Sequence, residues 1–155
     1  MDEREIQPDK EARLRIISKL RPQWKVFYEF HPTSFPPDET SRVAFVVSCR
    51  VDGASVVNLA IAFKGSRILL VQDDLAEADI LIESSSLPKI GEWTRIEISH
   101  EEVNDKFYLG LTVGGTLLGR REAHPKLQRM KLVTATFGGG GAHCGFFRSV
   151  VVLEK

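Results

Sequence analysis

The feature that most constrains this fold is a run of short, apolar-alternating segments, each ended by a turn signal. No long amphipathic helical pattern interrupts them between residues 24 and 155. Residues 24–30 (WKVFYEF) read as a strand stopped by the loop HPTSFPPDET, with its three prolines. Strands are then expected over 42–49, 56–63, 67–71, 79–83, 93–99, 107–113, 116–118, 131–137 and 146–153. Phe107, Leu109, Leu111 and Val113 share one face, and Gly114-Gly115 supplies the positive φ values of a two-residue hairpin. Ten or eleven strands at this spacing predict an all-β, antiparallel sandwich of jelly-roll type rather than a βαβ protein.

Two stretches depart from the pattern. In residues 11–20 (EARLRIISKL), Ala12, Ile16 and Lys19 have helical spacing, whereas Leu14 and Ile16 alternate with arginines as in a strand. Local propensity favours helix there. An edge strand over part of it agrees better with the rest of the chain, and Pro22 gives a break before the next strand. Residues 73–79 (DDLAEAD) allow one or two helical turns at most. The domain organisation expected is a polar extension over 1–10 and a single sandwich over 11–155, since 155 residues suffice for one core without staples. The terminal FFRSVVVLE should be integral to that core, because so apolar a strand is normally covered on one face.

Composition excludes several function classes. Lys plus Arg equals Asp plus Glu, 21 against 21, so no global field attracts nucleic acid or an anionic membrane. No nucleic-acid partner and no membrane insertion are expected, since no 18-residue apolar run occurs. The first ten residues lack the apolar core of a signal peptide. A cytoplasmic location follows if Met1 is the native start, and an extracellular one if the sequence is an excised domain. Cys49 and Cys144 allow two free thiols or one bridge between them. His143 lies beside Cys144, but adjacent strand side chains point apart, which gives no support to a thiol–imidazole pair.

Four segments, in order, resemble the concanavalin A-like lectin and glucanase superfamily, particularly its laminin-G-like and pentraxin-like sandwiches. They are WKVFYEFHPTSF (24–35), GEWTRIEIS (91–99), YLGLTVGGTLLG (108–119) and GFFRSVVVL (145–153). The resemblance spans residues 24–155 and implies a jelly roll used for glycan recognition, adhesion or glycoside hydrolysis, so the site must select among these. Members that hydrolyse glycans resemble one another in a Glu-x-Asp-x-x-Glu strand, and none is present; Glu97 with Glu101 or Glu102 is the nearest approach. Galectin-type domains resemble a face built from His-x-Asn-Pro-Arg, Asn, Trp and Glu-x-Arg. This chain departs from that set, with His124-Pro125-Lys126 late in the sequence and Asn58 and Asn104 its only asparagines.

Among the residues themselves, Arg95 and Glu97 are the sheet-borne ligand candidates, because they face away from Ile96 and Ile98. Arg121, His124, Arg129 and Lys131, with Arg120 and Lys126, read as a basic group between two strands, able to meet a sulfate, a phosphate or an acidic protein. Gly138–Gly141 leads to His143, where backbone can approach a ligand closely. No cofactor is expected, and no catalytic residue. Calcium is a candidate only at the acidic run containing Asp73, Asp74 and Asp79. His31 and His100 read as surface histidines, and Trp24 and Trp93 as core anchors. The reading is a non-catalytic module binding a glycan or a protein. Its alternative is a structural or assembly domain making protein–protein contacts without a small ligand; oligomerisation is left open.

Overall fold

The computed structural model describes residues 12–14, 20–37, 41–51, 56–72, 80–137 and 145–155. Eleven strands are described: β1 Ala12–Leu14, β2 Trp24–Pro32, β3 Ser41–Arg50, β4 Val56–Lys64, β5 Arg67–Gln72, β6 Ile80–Ser84, β7 Thr94–Val103, β8 Lys106–Val113, β9 Thr116–Glu122, β10 Lys131–Phe137 and β11 Gly145–Glu154. A 3-10 turn, Pro125–Leu127, joins β9 to β10. All pairings are antiparallel, in a six-stranded sheet β1-β10-β3-β4-β5-β6 and a five-stranded sheet β11-β2-β7-β8-β9. The expected strands are all present, and part of residues 11–20 is indeed an edge strand. The extension 1–10 and the segment 73–79 lie outside the described residues.

The core forms where the inward-facing residues of the two sheets meet. On β2, Trp24, Val26, Tyr28 and Phe30 are buried, while Lys25, Phe27, Glu29 and His31 alternate outward. They pack against Phe45, Val47, Leu59, Ile61, Phe63, Ile68 and Leu70 of the opposite sheet. Phe30 stacks between Phe63 and Phe147, with ring centroids 5.4 and 5.0 Å away. A smaller apolar cluster lies on the other side of the six-stranded sheet, where Ala62, Leu69 and Val71 are buried with Val43, Ala60 and Ile80 packed against them.

Two strands run further than their sequence patterns suggest. β7 continues to Val103 and turns through Asn104 and Asp105, at φ 51° and 67°. Positive φ at both central residues matches the right-handed twist of a hairpin, and Asn and Asp tolerate it better than other side chains. β9 runs to Glu122 because β8 offers partners as far as Tyr108. Arg120 and Arg121 are therefore strand residues and not part of the connection.

Three aromatic or imidazole side chains require correction. His100 is buried, not at the surface, because β7 has not ended there and its inward alternation continues. Trp24 is a core anchor, whereas Trp93 faces outward, since it precedes β7 in the phase of Arg95 and Glu97. His31 is half-buried against Trp93 and Phe146, with centroids 5.1 and 5.8 Å distant. Cys49 is a free thiol in the core, pushed up to about 12 by burial. Cys144 lies outside the described residues.

Candidate functional site

Among the described residues, the outer face of the five-stranded sheet gathers the most interacting charged and aromatic side chains. Its register sets Arg148 of β11, Glu29 of β2 and Arg95 of β7 directly opposite one another in one row. Above it Phe146 lies opposite His31, whose ring is 5.1 Å from that of Trp93, just before β7, and the row below holds Val151, Phe27, Glu97, Thr112 and Leu117. Arg148 donates to Glu29 at 3.3 Å and places its guanidinium 3.7 Å from the Trp93 ring centroid. Arg95 donates to Glu97 at 3.4 Å and lies 3.5 Å from the Phe27 centroid. Each guanidinium thus has a carboxylate at its edge and a π face beneath it, which fixes a planar, fork-shaped donor in place on a rigid sheet.

The pattern continues towards β9. Arg120 lies 5.0 Å from the Tyr108 centroid, Lys25 pairs with Glu101 at 3.0 Å, and Lys106 pairs with Glu122 at 3.4 Å. The hydrogen bond to Glu101 raises the Lys25 ammonium above its ordinary range. Gly110, at the centre of this face, is buried under its neighbours, and a Cβ there would fall 2.6 Å from Ser99 Oγ and 3.6 Å from Leu117 Cδ1. Beneath the aromatic row, His31 Nδ1 is buried with no hydrogen-bond partner among the described residues.

The residues singled out in sequence divide between places. Arg95 and Glu97 sit together on this face. Arg121 points the other way, donating to the Ile80 and Leu81 carbonyls of β6 at 3.3 and 3.5 Å. His124 and Arg129 are exposed in the connection around the 3-10 turn, Arg129 with its guanidinium 5.9 Å from the Phe107 centroid. Lys131 opens β10 opposite Arg50, on the other sheet. His143, Asp73, Asp74 and Asp79 lie outside the described residues. Among the described residues no three His, Cys, Asp or Glu side chains gather as a metal would require.

Sequence reading missed Glu29, Arg148, Phe27 and Phe146. The outward phase of WKVFYEFHP and of GFFRSVVVLE contained the signal. What sequence could not supply is that β11 lies beside β2 in the register that aligns Arg148 with Glu29 and Arg95.

No protein-family model matches the chain, and no curated protein matches it. Among solved structures it is similar to the metal-free Emp46p carbohydrate recognition domain (TM-score 0.65, 10% identity, covering 96% of this chain and 80% of that one). It is similar to the native heptameric SAP-like pentraxin of Limulus polyphemus (TM-score 0.59, 12% identity, 96% and 74%) and to the Caenorhabditis elegans galectin LEC-6 (TM-score 0.51, 13% identity, 95% of each chain). The fold is the concanavalin A-like sandwich. A family 7 alginate lyase, A1-II′, shares this concanavalin A-like sandwich at TM-score 0.57 and 12% identity, covering 95% of this chain and 70% of that one.

Proposed function

We propose that this protein is a non-catalytic recognition module that binds a glycan or a protein partner through the outer face of its five-stranded sheet. The observation that carries the reading is the row Arg148–Glu29–Arg95 with the aromatic groups Trp93, His31, Phe146 and Phe27 around it. Aromatic and arginine side chains on a rigid, partly covered surface are what binding hot spots are made of, and aromatic faces also stack on sugars. The opposite sheet offers less. Around β4 and β5 its outer side is the small apolar group Ala60, Ala62, Leu69 and Val71. A pocket of about 290 Å³ at one sandwich end, lined by Leu87, Lys89, Thr94, Gly114 and Leu118 among others, is at the lower limit for enclosing a small molecule.

The absence of catalysis in this reading is supported by how the carboxylates on the face are used. Glu29, Glu97, Glu101 and Glu122 each pair with a cation. A glycoside hydrolase needs one carboxyl group able to hand its proton to the leaving group. That the Emp46p domain is by name a carbohydrate recognition domain agrees with a glycan ligand here.

The test is a glycan-array screen over neutral, carboxylated and sulfated glycans, in calcium and in chelator, with the wild type, Arg95→Ala and Trp93→Ala. Saturable binding that both substitutions weaken at least tenfold supports glycan recognition by this face. Binding lost in chelator but unchanged by the substitutions moves the contacts to residues 73–79. No binding by folded protein removes the glycan reading.

One observation favours assembly as a second reading. Among the described residues β11 pairs only with β2, so a ten-residue strand forms a sheet edge, with Leu153 half exposed beside Val151 and Val152. Light scattering at increasing concentration, repeated with Leu153→Lys, tests it. A monomer at all concentrations rules assembly out.

A further inference from the structure

Cross-strand register puts two cations of the six-stranded sheet directly opposite each other: Arg50, the last residue of β3, and Lys131, the first of β10. Cys49 and Leu132 beside them face the core, so both charged side chains leave on the outer face. Opposed residues of an antiparallel pair have Cβ atoms about 5 Å apart, and like charges at that spacing destabilise the pairing. A carboxylate normally removes that cost. Lys64 and Arg67 also oppose each other, across the β4–β5 hairpin, but Arg67 is paired with Glu83 at 3.1 Å. Among the described residues, neither Arg50 nor Lys131 has an ion pair.

The neighbouring rows supply no counter-charge. Next along the same face come Thr134, Ser48 and Asn58, with Ser48 Oγ donating to Asn58 Oδ1 at 2.7 Å. Beyond them lie Thr136, Val46 and Ala60. On the β4 flank of Arg50 stands Val56, largely exposed. The pair therefore sits at the end of the sheet, Arg50 exposed and Lys131 half-buried, beside two rows that carry no charge.

We propose that Arg50 and Lys131 form a binding site for a tetrahedral oxyanion, a phosphate or sulfate group, on the outer face of the six-stranded sheet. The guanidinium is a planar fork able to give such a group two parallel N–H bonds, and the ammonium adds a point charge from the adjoining strand. Both side chains start from paired strands, so the two cations are already side by side and the ligand need not gather them. A negative group between them turns their repulsion into two attractions. This site is separate from the row Arg148–Glu29–Arg95, which lies on the other sheet and carries its own carboxylate.

The experiment is an NMR titration of the full chain with sodium phosphate, sodium sulfate and a sulfated disaccharide. Ionic strength is held constant with sodium chloride, because salt screens exposed charges. The expected result is saturable shifts centred on residues 48–50 and 131–134. Arg50→Gln and Lys131→Gln should each weaken binding about tenfold, the loss of one hydrogen bond to a charged group, whereas Lys155→Gln, an exposed lysine elsewhere, should leave it unchanged. Equal affinity for inorganic sulfate and the sulfated sugar makes the free ion the ligand; a sugar bound about tenfold tighter or more makes it the sulfate ester. Thermal unfolding gives a second readout. Phosphate should raise the wild-type midpoint and leave that of Lys131→Glu in place, since the new carboxylate occupies Arg50. Shifts that do not saturate, that map away from β3 and β10, or that persist at the same affinity in Arg50→Gln overturn the proposal. So does stabilisation by phosphate no greater than that by sodium chloride at equal ionic strength.

Discussion

Cys49 shows how far burial alone sets the chemistry of a residue in this fold. It lies on the inward side of β3, opposite Val57 of β4 and Leu132 of β10. Desolvation pushes its pKa from 9.0 up to about 12. The folded state therefore holds the thiol proton more tightly than the unfolded chain. That contribution to stability is fully present below about pH 9 and is lost progressively as pH rises towards about 12. At pH 8 the native thiol is both protonated and inaccessible, so alkylation should follow opening of the sandwich. A timed iodoacetamide reaction, with the peptide containing residue 49 quantified by mass spectrometry, should show labelling at least a hundredfold slower than in denaturant. Equal rates in the two conditions would show the thiol to be exposed.

At the scale of elements, β11 demonstrates why a terminal strand belongs to the core. It covers one edge of β2, and Phe147 inserts between the sheets against Phe30 and Tyr28, at centroid distances of 5.0 and 5.9 Å. Ser149, at φ 57°, sits in the register shift between Arg148 and Val151, which turns Val150 inward. Phe147→Ala should cost about 3–5 kcal/mol, the usual range for emptying a buried aromatic site, read as a fall in denaturation midpoint at constant m-value. A loss under 1 kcal/mol would mean that β11 packs less closely than described. The strand itself was legible from FFRSVVVLE, as were the other elements, because alternation and turn residues are local properties. Arg148 meeting Glu29 was not legible, since the β11–β2 pairing joins residues 119 positions apart. His100 was misread for a related reason: the strand was expected to end at Ser99, and only the Asn104–Asp105 turn shows that it does not.

On the scale of the whole molecule, the two lateral sides of the sandwich are built differently. On one side β6 and β9 close over each other, tied by Arg121 to the Ile80 and Leu81 carbonyls. Gly119 faces inward there, and a Cβ on it would meet Ile82 Cγ2 at 2.7 Å, so the sheets approach as closely as they do only because that position has no side chain. On the other side β1 and β11 form the two sheet edges. This close approach predicts that the β6–β9 side is sensitive to added volume. Gly119→Ala should force the sheets apart and destabilise the domain by about 1–3 kcal/mol, as overpacking does. Ile82→Ala removes the methyl group in the way and should itself destabilise by loss of burial. In the double variant the clash is gone, so its cost should be smaller than the sum of the single costs by about 1 kcal/mol or more. A double-mutant cycle by urea denaturation measures that coupling. Strict additivity would mean that the two sheets do not meet at Gly119, leaving closure of this side to Arg121 and the apolar packing of Leu81 and Leu118.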